Sequence, residues 1–290
     1  MGINMNKRAL RTSAVAVALV VAALLVACFA CVSRTSTTEA SSDQGSSDTL
    51  PTIKIGADIV DPFFYKDHNG DYAGIDAEIA REACKRAGLT PKFVQIDWAD
   101  RDAYLSNGTV DCLWCGYARN GREGRYLWTE TYLETSVGVV VRYDDKTASL
   151  HDFDSSNGIA VRSGSISEFS LLAGALGLPA TTPIKSYGTL ALAMTAFARG
   201  YTDAWISYSL ILDRLVAESP KTYRFLEHDA LSIDLAVAFS TDYNGPYRTK
   251  LNRAIESMKR DGTIDKIQKR YEEATSLPAE SASGSEADDA

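Results

Sequence analysis

Apolar and polar positions along residues 51–275 follow two different spacings. Some segments alternate with a period of two, which is typical of strands, and others repeat apolar residues every three or four positions, which is typical of helices. The predicted strands are 52–57, 92–96, 110–114, 137–142, 158–161, 203–206 and 231–240, and the predicted helices are 76–87, 100–106, 165–177, 189–197, 209–218, 251–258 and 264–271. Strands that alternate with helices predict an α/β fold with crossover connections.

The ends of two predicted helices are marked by characteristic residues. Asp76 is expected to cap the first helix, and Gly88 is expected to stop it. Ser165 and Glu168 form a Ser-x-x-Glu capping box, and the helix that they open is expected to end at Gly177.

The first 27 residues are predicted to be an export signal. Basic residues precede an unbroken apolar run, which ends at Leu25-Val26-Ala27-Cys28. This ending resembles a bacterial lipobox, so we expect residues 1–27 to be a lipoprotein signal peptide and Cys28 to be the lipidated residue. The alternative is an uncleaved signal anchor, because the apolar stretch extends to Val32. Both interpretations place the rest of the chain on the extracytoplasmic side, anchored to the cell membrane.

Polar segments flank the predicted folded region on both sides. Residues 33–49 contain ten Ser or Thr and no large apolar residue, so residues 28–50 are predicted to be a tether. Residues 276–290 carry four acids and no base, and they are predicted to form an acidic disordered tail.

The charge of the chain bears on its partners. The 290 residues include 30 Lys or Arg and 38 Asp or Glu, which gives a net charge of −8. Residues 1–27 hold three of the bases and none of the acids, so the remainder carries a net charge of −11. An acidic surface repels phosphate backbones, so we expect no nucleic-acid partner.

The cysteine and histidine residues give little indication of a metal or cofactor. Cys112 and Cys115 have the spacing of half a zinc knuckle, but no second pair follows and the three histidines are scattered. We therefore expect no metal and no cofactor. Together with Cys84, these residues are either buried thiols or members of one disulfide. The sequence also has no nucleophile elbow, zinc-protease motif or phosphate loop.

The order of short motifs across about residues 51–275 resembles that of the family-3 extracellular solute-binding proteins, the receptors of polar amino-acid ABC importers. The motifs are 61–63 (DPF), 70–76 (GDYAGID), 105–111 (LSNGTVD), 120–123 (NGRE), 128–132 (WTETY), 161–165 (VRSGS), 200–204 (GYTDA) and 259–264 (KRDGTI).

The resemblance implies a fold and a function. It implies a two-lobed, periplasmic-binding-protein-like (type II) α/β fold with a two-segment hinge and a ligand cleft between the lobes. Lobe 1 would comprise 51–135 and 236–275, and lobe 2 would comprise 136–235. The expected function is that of a monomeric receptor that binds an amino-acid-like small molecule, closes on it and delivers it to a membrane permease.

The resemblance also implies which residues contact the ligand. Arg122 matches the arginine that binds the ligand carboxylate, although an exposed turn arginine is the alternative. The loop before it is expected to offer backbone groups, and a helix N-terminus in lobe 2 is expected to suit an anion, unless Ser165 simply caps the helix. Four aromatic residues are candidates for lining the cleft, with a core position as the alternative for Trp114. Asp58 matches a position that meets a cationic side chain in some relatives, or else it forms a turn. The loop, helix and aromatic candidates are Cys115, Gly116, Tyr117, Ala118, Gly164, Ser165, Phe63, Trp98 and Trp114.

The sequence departs from the family pattern at the position expected to accept an α-ammonium group. Tyr208 stands five residues after Asp203, where the family usually has an aspartate, and Ala118 and Ile166 stand where hydroxyl residues are common. Either Asp58 or Asp61 supplies the missing carboxylate, or the ligand is not a standard amino acid. We expect the Tyr208 ring to face the cleft.

Two other functions compete with that of a binding protein. Cyclohexadienyl dehydratases resemble the same fold and use a carboxylate in the cleft. A ligand sensor domain is the second alternative, although no apolar run after residue 32 is long enough to span a membrane.

Overall fold

The structure, a computed structural model, describes residues 49–276. The predicted signal peptide, the lipidated Cys28, nearly all of the tether and nearly all of the acidic tail lie outside these residues.

Strands and helices alternate along the described region. The strands are β1 (Thr52–Ala57), β2 (Tyr65–Lys66), β3 (Tyr72–Ala73), β4 (Thr90–Gln95), β5 (Cys112–Leu113), β6 (Leu127–Trp128), β7 (Leu133–Arg142), β8 (Ile159–Arg162), β9 (Ile184–Tyr187), β10 (Ala204–Tyr208), β11 (Tyr223–Leu235) and β12 (Ala238–Phe239). The helices are α1 (Ile75–Ala87), α2 (Arg101–Ser106), α3 (Ile166–Leu172), α4 (Leu190–Ala198), α5 (Ser209–Glu218), α6 (Tyr247–Arg260) and α7 (Thr263–Ser276). The α/β prediction is confirmed.

Ten of the described strands form two five-stranded mixed sheets, and β2 and β3 pair with each other. The first sheet has the order β4-β1-β5-β12-β6, and the second has the order β11-β7-β10-β8-β9. In the first sheet β1 runs parallel to β4 and β5, whereas β12 runs antiparallel to β5 and β6. In the second sheet β8 runs parallel to β9 and β10, whereas β7 runs antiparallel to β10 and β11.

The chain passes between the two sheets twice, along neighbouring paths. It leaves the first sheet after β6 and enters the second at Leu133, and it returns between Leu235 and Ala238. Leu133 pairs with Leu235, and the Thr129 amide donates to the Val237 carbonyl at 3.0 Å. The two crossings are therefore hydrogen-bonded to each other.

Apolar side chains from β1 pack against α1 and α6. Ile55, Ile79, Ala83, Leu251 and Ile255 are fully buried and belong to the main core cluster. The spacing of four residues within each helix places these side chains on one face, as the sequence pattern predicts.

Three of the predicted element boundaries are wrong. The α1 helix begins after Gly74 rather than with Asp76 as its cap, and the Asp76 side chain is buried. The α3 helix ends at Leu172, because Gly174 takes up a left-handed conformation three residues before the expected stop at Gly177. The predicted strand 231–240 is two strands, β11 and β12, and the break between them is one of the crossings.

Candidate ligand-binding site

A cavity lies where the carboxyl ends of strands from both sheets meet. Its wall includes residues at the end of β8 and β10 or just after β5 and β8, a position where open α/β sheets commonly bind ligands. The cavity has a volume of about 30 Å³, which is room for a few water molecules. The residues on the wall are Val60, Trp98, Cys115, Gly116, Tyr117, Ala118, Arg122, Arg162, Gly164, Ser165, Ile166, Ser167, Leu190, Ile206, Ser207 and Tyr208. We call this space the Arg122 cavity.

Arg122 reaches the cavity from the loop between β5 and β6. Its side chain is buried, with Nη1 donating to the Ala118 carbonyl at 3.0 Å and Nη2 donating to the Gly164 carbonyl at 3.2 Å. The guanidinium carbon lies 5.2 Å from the centre of the Tyr117 ring. No carboxylate among residues 49–276 forms an ion pair with Arg122, so the structure gives this buried guanidinium only neutral partners.

The loop that carries Arg122 is fixed to the strand that leads into a crossing. The Asn120 side chain accepts a hydrogen bond from the Asp234 amide at 2.7 Å, and the Arg119 guanidinium pairs with the Asp234 carboxylate at 3.1 Å. The Arg122 carbonyl accepts from the Trp128 indole at 3.1 Å. These contacts explain why Arg122 is buried rather than an exposed turn residue.

The backbone of residues 115–118 forms one side of the wall. The Cys115 thiol donates to the Asp58 carbonyl at 2.8 Å, and the Gly116 amide donates to the buried Asp76 carboxylate. The Tyr117 hydroxyl donates to the Tyr126 hydroxyl at 2.9 Å. Most polar atoms of this loop are therefore engaged within the protein, which holds the loop in one position.

Two guanidinium groups lie close to the Trp98 ring. The carbon of the Arg101 guanidinium lies 5.0 Å from the ring centre, and that of Arg162 lies 5.3 Å from it. The Trp98 indole donates to the Gly164 carbonyl at 3.3 Å, and its ring meets the Tyr117 ring edge-on at 4.8 Å. Trp98 thus connects the first-sheet side of the wall to the second-sheet side.

At the N-terminus of α3, where an anion site is expected, two backbone amides donate to the helix's own side chains. The Ser165 hydroxyl accepts from the Glu168 amide at 3.1 Å, so Ser165 is the helix cap. The Gly164 amide donates to the Glu168 carboxylate at 2.6 Å. Gly164 instead presents its carbonyl to the cavity, where Trp98 and Arg122 donate to it.

Arg162 ends β8 and forms an ion pair with Asp58 at the end of β1. The pair joins the two sides of the cavity, and only the Arg162 side chain lies on the wall. Asp58 was expected to meet a cationic side chain. In the structure, the cationic group that contacts it is the Arg162 guanidinium of the same chain.

Tyr208 faces the cavity from the end of β10. Its hydroxyl donates to the Gly116 carbonyl at 2.5 Å, and its ring centre lies 5.0 Å from that of Phe63. The ring is on the wall rather than inside the core of the second sheet, as we expected.

Asp76 lies beneath the loop of residues 115–118. Burial raises the pKa of its carboxyl group to about 7, although hydrogen bonds from the Gly116 amide and the Tyr132 hydroxyl favour the charged form. The Tyr132 hydroxyl lies 2.9 Å from Asp76 Oδ1. A carboxylate that titrates near neutral pH thus supports the wall of the cavity.

Three sequence-predicted residues and one alternative lie off the wall. Trp114 is buried and packs against Tyr132, with ring centres 5.5 Å apart, so it belongs to the core. Phe63 is fully buried and reaches the cavity only through the Tyr208 ring. Asp58 pairs with Arg162 and does not itself lie on the wall. Asp61, the other candidate for the missing carboxylate, is 47% exposed and pairs with Arg214 at 3.1 Å on the surface.

Sequence reasoning missed Arg162 and Asp76 as parts of the site. Arg162 lies within a family motif, and a basic residue at the end of an otherwise apolar strand was the available signal. Asp76 gave no such signal, because an acid in the first turn of a helix is ordinary.

The three cysteines in the described region are buried free thiols rather than members of a disulfide. Burial raises the pKa of the Cys112 and Cys115 thiols well above the usual range. Within residues 49–276, no cluster of three His, Cys, Asp or Glu could hold a metal ion. The helices of the same region are too short or too polar to cross a membrane.

Comparison with known proteins shows which family and which relatives this chain is similar to. A profile of the bacterial extracellular solute-binding proteins, family 3, matches residues 53–274. The L-cystine-binding protein TcyA of Bacillus subtilis (strain 168) is 25% identical over 73% of this chain and 77% of its own length.

Two solved structures share the fold. An ancestral arginine-binding protein bound to arginine superposes with a TM-score of 0.65 at 25% identity, and the match covers 76% of this chain and 97% of that one. An ancestral amino acid-binding protein, described as a precursor of cyclohexadienyl dehydratase, superposes with a TM-score of 0.64 at 24% identity, covering 76% of this chain and 94% of that one. These neighbours confirm the two-lobed binding-protein fold that the motifs predicted. The family match spans most of the chain, and the chain therefore belongs to the bacterial extracellular solute-binding proteins of family 3.

Proposed function

We propose that this protein is the extracytoplasmic receptor of an ABC importer and that it binds an amino acid or amino-acid-like molecule in the Arg122 cavity. The proposal rests mainly on Arg122. It is a buried guanidinium on the wall, and its only hydrogen-bond acceptors among the described residues are two backbone carbonyls. A ligand carboxylate would supply the charged, planar partner that such a group favours.

The names of similar proteins support this type of ligand. They include a protein described as L-cystine-binding and a structure described as bound to arginine, and both ligands carry a carboxylate. The permease partner, the monomeric state and the lipid anchor at Cys28 are part of the proposal through family membership and the N-terminal sequence.

We further propose that ligand enters and leaves as two lobes, 51–135 with 236–275 and 136–235, open and close. In the structure, the two sides of the cavity are joined by Arg122 to Gly164, Tyr208 to Gly116 and Arg162 to Asp58. A cavity of about 30 Å³ is too small for an amino acid, so these contacts must separate for a ligand to enter. The crossings at 129–132 and 236–237 would act as the hinge.

The dehydratase alternative is less well supported. By the resemblance, that activity uses a carboxylate in the cleft, whereas no Asp or Glu within residues 49–276 lines the Arg122 cavity. The sensor alternative has no specific observation in its favour.

Thermal unfolding of the purified protein against amino acids, amines, small peptides and dicarboxylates tests the proposal. A ligand at 100 times its dissociation constant stabilises the folded state by about 2.7 kcal/mol. For a folded region of this size, the midpoint should rise by about 5–10 °C. We expect the unfolding midpoint to rise with at least one carboxylate ligand. If no compound raises the midpoint and the protein turns over prephenate or arogenate, the enzyme function would be favoured instead.

A further inference from the structure

Arg162 has incomplete hydrogen bonding. Its side chain is only 11% exposed, and Nη2 is paired with Asp58. The Nε atom is buried and has no hydrogen-bond partner among the described residues. A buried N–H without an acceptor is unfavourable, so an acceptor is expected at this position when the site is in use.

The guanidinium groups on the cavity wall outnumber the carboxylates, and Asp58, which lies off the wall, pairs with only one of them. Arg122 and Arg162 both lie on the wall, and within residues 49–276 no Asp or Glu does. A third guanidinium, that of Arg101, packs on the Trp98 ring. Among residues 49–276 it hydrogen-bonds only to the Trp98 carbonyl and the Tyr117 hydroxyl.

The carboxylates nearest to the wall are already engaged. Asp58 pairs with Arg162, and Asp76 accepts from Gly116 and Tyr132 beneath the loop. Glu168 accepts from the Gly164 amide and the Ser186 hydroxyl, off the wall. A ligand ammonium group would therefore meet guanidinium groups rather than a free carboxylate, and like charges at short range repel in a desolvated site.

We propose that the Arg122 cavity takes a small ligand with two acidic groups, one at Arg122 and one at the Nε–H of Arg162, and that the ligand needs no free ammonium group. The chemical class is a short dicarboxylate. This inference rests on the proposed function, because it uses the same cavity and the same role for Arg122. It explains why Tyr208 can replace the usual aspartate: no ammonium group has to be neutralised there.

Titration calorimetry on the purified protein tests the inference with succinate, glutarate, glutamate, glutamine and arginine as probes. We expect succinate or glutarate to bind at least as tightly as glutamate. Glutamine and arginine are expected to bind about 10- to 100-fold more weakly, since each lacks the second acidic group. Tighter binding of glutamine or arginine than of every dicarboxylate would overturn the inference.

The variant Arg162→Gln should weaken the tightest dicarboxylate by about 10- to 100-fold, because it removes one charge-assisted interaction. Arg253→Gln is the matched control, since Arg253 is exposed on α6 and lies off the cavity wall; it should leave the affinity unchanged. If Arg162→Gln does not fold, Arg162→Lys tests the same point, and the wild-type ligand order remains decisive by itself.

The outcomes separate this inference from the proposed function. If a neutral or cationic amino acid binds most tightly, and Arg122→Ala abolishes that binding while Arg162→Gln does not change it, the receptor function stands and the dicarboxylate inference fails. If the wild-type protein binds none of the probes and no ligand raises its unfolding midpoint, both the receptor function and the dicarboxylate inference fail.

Discussion

The Tyr208 hydroxyl donates a hydrogen bond to the Gly116 carbonyl across the Arg122 cavity, over a distance of 2.5 Å. Tyr208 ends a strand of the second sheet, and Gly116 follows a strand of the first. The side chain that stands where the sequence resemblance places the ammonium acceptor therefore joins the two sides of the site.

Replacing Tyr208 with aspartate should strengthen the binding of α-amino acids. The new carboxylate would lie on a wall that has two guanidinium groups, and it would give an α-ammonium group a charged partner worth about 1.5–3 kcal/mol. We expect the affinity for glutamate or glutamine to rise at least about 10-fold by calorimetry. Tyr208→Asn has nearly the same shape as Tyr208→Asp without the charge, and an equal gain in both variants would argue against this reason.

Arg122→Ala should abolish ligand binding. The substitution removes the buried guanidinium and both of its bonds, to Ala118 and Gly164. We expect a loss of at least about 100-fold in affinity, since a charge-assisted bidentate interaction disappears. Arg125→Ala is the control, because Arg125 lies three residues further along the same loop with a side chain that is 57% exposed. Unchanged affinity in Arg122→Ala would remove Arg122 from the site.

The buried Asp76 should make stability depend on pH. Burial raises the pKa of its carboxyl group from 3.8 to about 7. Between these values the folded state holds a proton that the unfolded state has lost. The resulting stabilisation is complete below about pH 4, and it is lost as the pH rises through about 7, by at most about 1.4 kcal/mol per pH unit.

Urea unfolding of the wild-type protein and Asp76→Asn from pH 4.5 to pH 8 measures this contribution. Other titrating groups affect both proteins alike, so the difference between the two isolates Asp76. The free energy of unfolding of the wild-type protein should fall relative to that of the variant as the pH rises. Parallel curves would mean that Asp76 is ionised throughout this range.

Cys84, Cys112 and Cys115 should resist alkylation in the folded protein. All three are buried free thiols, and burial raises their pKa, to about 12 for Cys84, so little reactive thiolate is present. Mass spectrometry of tryptic peptides after iodoacetamide treatment reads each cysteine separately. We expect modification only after denaturant is added, and rapid labelling of Cys115 in the native state would show that the wall opens readily.

The sequence predicts local features of the fold well. Ser165 caps its helix as the capping box predicts, because this cap depends only on residues three positions apart. The sequence pattern does not reveal the first half of β11, because Tyr223–Leu235 mixes exposed and buried positions and contains irregular pairing with β7.

The candidate site is harder to predict for a related reason. A family motif identifies Arg122 as a candidate. Arg162, in contrast, is positioned by its ion pair with Asp58, which is 104 residues away in the chain. Trp114 and Trp98 are both aromatic candidates for the site, yet one packs on Tyr132 in the core and the other lies on the wall. Tertiary contacts decide such cases, and a single sequence does not contain them explicitly.

A crystal structure of the protein with its tightest ligand would show whether Arg122 binds the ligand carboxylate. We expect a ligand carboxylate hydrogen-bonded to the Arg122 guanidinium, with N to O distances of about 2.7–2.9 Å, inside the Arg122 cavity. A ligand bound outside this cavity, or one whose carboxylate does not contact Arg122, would contradict it.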